Sequence, residues 1–266
     1  MIRNLQIEWM KIKNYRVFQV FSVLYLIGIL VIIYIFYKIY IQLMGRVMSM
    51  GNPNPRDGSD LFKLFSEDTI WSTVCFSTSF LLYLPGMVII NLFINEVNFK
   101  THRQNIIDGW KRETFIYTKI SLIVCISLVV TVMNTIAVFI MCQVTNTSFS
   151  LLSGIDTLGL SFVQTFIYLM FALLLATFFR RSGVAIIVFF IYGLLLESFF
   201  MWLFSKIIPG MQHFLPLQVA DSLIPFIKTG GIFANNPGVA VLLPAALAFG
   251  GLYIFLAVRK YKYDDL

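Results

Sequence analysis

Six stretches of the chain run for twenty residues or more with almost no charge, at 17–40, 71–95, 116–142, 158–179, 184–204 and 239–258. A helix rises about 1.5 Å per residue, so about 20 residues cross a hydrocarbon core roughly 30 Å thick. Lipid offers backbone N–H and C=O groups no partner, so each stretch must be helical; strands of a barrel would be shorter and would alternate in polarity. The pattern therefore predicts an all-α fold, a polytopic bundle of six transmembrane helices. The apolar stretches leave no run long enough for a separate soluble domain, so residues 1–266 are expected to form one transmembrane domain.

The links carry their own patterns. In residues 1–16, Ile2, Leu5, Trp9 and Ile12 recur at helical spacing with Arg3, Lys11 and Asn14 on other faces. That spacing predicts a short helix in the headgroup plane, or a helical extension of the first span. Residues 51–60 read GNPNPRDGSD, an irregular turn. The link at 206–238 holds Pro209, Pro216, Pro225 and Pro237, yet it also carries FLPLQVADSLIPFI. A solvated loop would not be so apolar, so short half-buried helices dipping back toward the membrane are expected, with a compact cap on the bundle surface as the alternative.

Composition agrees: 59% of residues are hydrophobic and 12% charged, against about 25% charged in soluble domains. The net charge of +7 does not point to nucleic acid, because the bases flank the spans and no nucleic-acid motif accompanies them. Fourteen Lys and Arg fall on the side of both termini, against six (Lys38, Arg46, Arg56, Lys63, Lys206 and Lys228) on the other. Basic excess marks the cytoplasmic side, so both termini are expected inside, in a multi-pass membrane protein. Trp9 and Trp110 would then lie at inner ends of spans, and Trp71 and Trp202 at outer ends, at headgroup level. The first apolar stretch is too long for a secretory signal and no small-residue cleavage site follows it, so it is expected to remain a span.

Chemistry is sparse. Phosphate-loop and HExxH motifs are absent, and His102 and His213 fall on opposite sides. Cys75, Cys125 and Cys142 are scattered in or beside apolar runs and read as packing residues. No catalytic residue, metal site or cofactor is expected in this chain. The one ionisable residue clearly inside a span is Glu197, which must be protonated, paired or facing a wet cavity. It is the candidate for the pathway or for a gate against 206–238, with Lys206 and backbone amides as partners; a structural tie between helices is the alternative.

The richest polar link is 96–119, where Ile106, Ile107 and Trp110 share a helical arc beside Arg103, Asp108, Lys111 and Arg112. Such a helix suits docking against a partner, or lying on lipid. Glu96, Thr101, Arg103, Ile107, Asp108, Gly109, Trp110 and Arg112, leading to Lys119, resemble the coupling segment of ABC-2 type permeases, small bacterial ones in particular. Six spans, an amphipathic lead-in, a Pro-rich outer segment before the last span and the tail RKYKYDDL are similar to that family along the whole chain. One departure is Asp108–Gly109, where many members carry a proline.

The resemblance implies the permease subunit of an ABC exporter, paired with a second copy or a related permease on two separate ATP-binding subunits that hold ATP and Mg. It implies an amphiphilic or bulky substrate such as a peptide, antibiotic or lipid. A self-contained secondary carrier and a non-transporting scaffold are the competing expectations. Orientation is tested with single cysteines in a background lacking the native three: an impermeant reagent applied to sealed cells should modify positions 57 and 228 and spare 111 and 181. Modification at 111 would invert the topology.

Overall fold

The computed structural model of the chain describes residues 2–49, 63–99, 112–179, 181–208, 210–224 and 235–263. Among them the fold is all helix, with no strand. Helix α1 is Ile2–Lys13 and α2 is Arg16–Ser49. Helix α3 covers Ile70–Asn98, α4 Arg112–Thr145, α5 Leu151–Phe178 and α6 Ser182–Ile207. A short α7, Gln218–Asp221, precedes α8, Val239–Tyr263. Six helices, α2 to α6 and α8, are long and apolar enough to cross a membrane, at the six positions the apolar pattern predicts. The helices run several residues beyond the apolar stretches because polar flanks continue the same hydrogen-bond ladder.

The surface says which solvent surrounds this bundle. Along α2, Val20, Val23, Leu26, Ile27, Leu30, Val31 and Ile35 are all exposed, and similar faces occur on α4 and α6. A water-soluble monomer rarely shows an apolar patch beyond a few hundred Å², so this chain is a multi-pass membrane protein with its hydrocarbon face outward.

Helices α3 and α5 form the centre. Helix α5 packs against α3, α4 and α8, and the run Ile167–Ala172 on it is wholly buried. Two local irregularities shape the spans. In α3 a 3₁₀ turn at Phe80–Leu82 precedes Pro85, whose ring crowds the carbonyl four residues back and tightens the helix there. In α6 a π turn at Ile191–Leu196 interrupts the α-helix. Ala185 and Phe189 are buried, and so are Glu197 and Met201. From Phe189 to Glu197 a regular helix would overshoot two turns by about 80°; the wider turn absorbs that excess and keeps Glu197 on the buried face.

Trp71 lies at the start of α3 and is 2% exposed, its ring against Gly154 of α5 and near Phe149. A Cβ at residue 154 would lie 2.2 Å from that ring, so only glycine permits the contact. Trp202 does keep an exposed ring, with Lys206 Nζ 4.0 Å from its centroid. Trp110 lies outside the described residues, as do the turn at 51–60 and residues 225–234 of the Pro-rich link.

Gly154→Val should therefore cost about 1–3 kcal/mol by overpacking, read as a lower unfolding midpoint in detergent. Gly159→Val, with open space around its Cβ position, is the control and should leave the midpoint unchanged.

Candidate functional site

Polar side chains that cannot face lipid collect at the two ends of the bundle. At the end opposite the chain termini, residues 210–224 fold back over the helices as a 3₁₀ turn, Met211–Phe214, and α7. Leu217, Val219, Ala220, Leu223 and Ile224 are buried against the bundle. Short helical turns and buried apolar side chains occur in this described part of the 206–238 link.

Glu197 is what this lid closes on. Its Oε1 accepts hydrogen bonds from the backbone N–H groups of Leu217 at 2.6 Å and Gln218 at 2.7 Å, the residue before α7 and the first residue of it. Those amides have no partner within a helix that begins there, and a carboxylate satisfies both. The side chain is 3% exposed. Of the two partners read from the sequence, the backbone amides are the ones found; Lys206 turns away to Trp202 because a cation with an aromatic face near the span's end has no need to enter the bundle.

A second carboxylate, Asp221, stands one turn on. Its Oδ2 accepts from the Tyr168 hydroxyl at 2.7 Å and its Oδ1 from Gln164 Nε2 at 2.8 Å, both on α5. Burial pushes the Asp221 carboxyl up to about 6, and the Tyr168 and Gln164 hydrogen bonds pull it down. Tyr253 of α8 donates to the Pro216 carbonyl at 3.0 Å, and His213 Nδ1 lies 2.8 Å from Ser222 Oγ. Asp221 escapes sequence reading because it sits in a link, where an acid is ordinarily solvated. The four-residue spacing of Gln164 and Tyr168, two polar groups on one face of an apolar span, is the signal that points to a polar neighbour.

Under the lid lies a cavity of about 250 Å³ between α3 and α6, lined by Phe76, Phe80, Tyr83, Tyr168, Gln218 and Asp221 among others. Gly193 of the π turn also lines it, and a Cβ there would fall 2.3 Å from the Tyr83 hydroxyl. The missing side chain lets Tyr83 stand against α6.

At the end that carries the chain termini, Lys119 of α4 is buried between two carboxylates. Its Nζ pairs with Glu8 of α1 and, at 2.7 Å, with Glu96 of α3; Lys11 Nζ adds a contact of 3.3 Å to Glu8. Lys119 and Glu8 are 3% and 1% exposed. Tyr15 and Asn95 are hydrogen-bonded beside them. Helix α1 forms as its spacing predicts but is rolled differently: Glu8 and Ile12 face the bundle while Trp9 is 54% exposed. Lys119 is buried and draws Glu8 in beside Glu96 as a second counter-charge, and that demand outweighs the apolar arc through Trp9. Of the residues read as coupling positions, Glu96 belongs to this knot. Arg112 begins α4, and Thr101, Arg103, Ile107, Asp108, Gly109 and Trp110 lie outside the described residues.

Cys75 and Cys142 are buried and Cys125 is half-buried, all unpaired, and no His, Cys, Asp and Glu cluster able to hold a metal occurs among the described residues. Fold and sites together define a six-helix membrane protein with a lidded polar end and an ion-paired base. No protein-family model matches the chain, and no curated protein matches it.

Removing the Glu197 carboxylate leaves two buried amides unsatisfied, each costing about 1–3 kcal/mol. In Glu197→Ala, amide hydrogen exchange across 215–222 should quicken by at least about tenfold. Glu197→Gln keeps an acceptor oxygen and should stay close to wild type; equal acceleration in both would mean the charge, not the acceptor, holds the lid.

Proposed function

We propose that this chain is the permease subunit of an ABC exporter in the bacterial cell membrane, with both termini in the cytoplasm and ATP hydrolysed by a separate subunit. The observation that carries this reading is the Lys119 knot. Residues 96–119 leave α3 and re-enter α4 at two points joined by the Glu96–Lys119 pair, and Glu8 fastens α1 to the same lysine. Breaking a buried pair of this kind costs about 3–5 kcal/mol, so a force on the link is passed to three helices together. A segment whose base is so stiff suits a lever pushed by an ATPase, and less a loop lying on lipid. The excess of basic residues at this end supports its cytoplasmic placement, and the absence of any phosphate loop in the sequence supports an external energy source.

A coupled pair of permeases, this chain with a second copy or a related chain on two ATP-binding subunits, follows from the same resemblance. The second reading, a cation-coupled secondary carrier, gains support from Glu197 and Asp221, two carboxylates within one lidded end. The two readings part on the energy source.

Affinity purification of the full-length protein from its native membrane should retain an ATP-binding subunit. Arg103→Glu and Arg112→Glu should lose that subunit or its stimulated ATPase while the permease remains folded, because a charged contact at an interface costs little at the rim and several kcal/mol when desolvated. Lys119→Met should lower the unfolding midpoint as well, since it leaves Glu8 and Glu96 facing each other. Normal assembly and transport in both arginine variants would remove 96–119 from coupling.

A further inference from the structure

The cavity between α3 and α6 has walls of a particular kind. Phe76 and Phe80 stand edge to face at 5.8 Å and 90°, and Tyr83 and Tyr168 likewise at 5.8 Å and 87°, so two perpendicular ring pairs present both faces and edges to one space. On the lid side the wall is the Asp221 carboxylate with Gln218 beside it.

Each Asp221 oxygen accepts one hydrogen bond, while a carboxylate has about four lone-pair sites. No Lys or Arg among the described residues forms an ion pair with it; Lys206 of α6 is engaged with Trp202. A carboxylate without a cation, at the wall of an aromatic box, is an arrangement that recognises alkylammonium groups, attracted by ring faces and by the negative charge together.

The volume of about 250 Å³ is below the usual range of roughly 300–1,000 Å³ for sites that enclose a whole small molecule. It suits a headgroup. The rest of the ligand has a way out past Phe80 and Leu194, both cavity-lining and both exposed on the hydrocarbon face.

We propose that this cavity binds the ammonium head of an amphiphilic organic cation, with Asp221 as its counter-charge and the Phe76, Phe80, Tyr83 and Tyr168 rings as its walls, the tail leaving between α3 and α6 into lipid. The proposal names a substrate class for the transport function above and rests on that reading only for the ligand's fate, not for its binding. Tyr168 and Gln164 act as positioning residues that aim the carboxylate. Glu197, which holds the amides of Leu217 and Gln218, fixes the lid that carries Asp221.

The test is equilibrium dialysis of radiolabelled dodecyltrimethylammonium against the full-length protein in nanodiscs, with binding to empty nanodiscs subtracted. Saturable binding of one cation per chain is expected, and the net-neutral dodecyldimethylamine oxide should compete at least about tenfold more weakly. Asp221→Asn, which keeps the shape and an acceptor for Tyr168, should weaken binding about tenfold or more. Ser198→Leu, on the exposed rim of the cavity, leaves the carboxylate in place and should also block binding, which decides the matter should Asp221→Asn fail to fold. Uptake no greater than that of empty nanodiscs, or wild-type affinity in both variants, overturns the site. No ATPase is present in this experiment, so cation binding by a chain that never recruits an ATP-binding subunit would uphold the site and count against the exporter reading alone.

Discussion

Every polar group that this bundle cannot turn toward lipid has to be satisfied by the bundle itself. That one constraint arranges the rest. The outward faces of α2, α4 and α6 are apolar, so charge is driven inward and toward the ends, where it is tolerated only with partners. Lys119 answers Glu8 and Glu96 at one end; at the other, Glu197 answers the free amides of the lid and Asp221 answers Tyr168 and Gln164. The middle of the bundle is held by packing, with the rings of α3 and α5 against glycines that admit them, as at Trp71 and Gly154.

The two polar ends lie on shared helices. Helix α3 carries Glu96 at one end and the Phe76, Phe80 and Tyr83 walls of the cavity toward the other, with the 3₁₀ turn running through those walls and Pro85 between them and Glu96. Helix α6 places Glu197 beyond its π turn. Such interruptions are where helices bend at least cost. A displacement of the α3 base would thus be felt at the cavity wall, and the lid, fastened to α6 through Glu197 and to α5 through Asp221, would register a change in their spacing.

Much of this was legible in the sequence, and the misses share a cause. Hydropathy marks the six spans because the energetic demand of lipid acts on every residue of a span at once. The apolar content of 206–238 marks that link as more than a solvated loop, and a lone acid in an apolar run singles out Glu197. Asp221 and Glu8 were not legible in this way. Each is an acid in a link outside the spans, and its burial depends on a partner far along the chain, 53 residues away for Tyr168 and 111 for Lys119. The packing of Trp71 was hidden for the same reason: Gly154, which opens a slot for its ring, lies on another helix. Periodicity reports how a helix sees its solvent; it does not report which helix lies beside it.

The central proposal is that the base at Lys119 and the cavity under the lid belong to one machine driven by an outside ATPase. It is tested most directly by the reactivity of a cysteine at Ser198, on the cavity rim, in a background without Cys75, Cys125 and Cys142. In the complex with its ATP-binding subunit, trapping with ATP and vanadate should change the labelling rate by about tenfold, a shift of about 1.4 kcal/mol in the underlying equilibrium, and Lys119→Met should abolish that change. A rate indifferent to nucleotide in a complex that hydrolyses ATP would contradict the account.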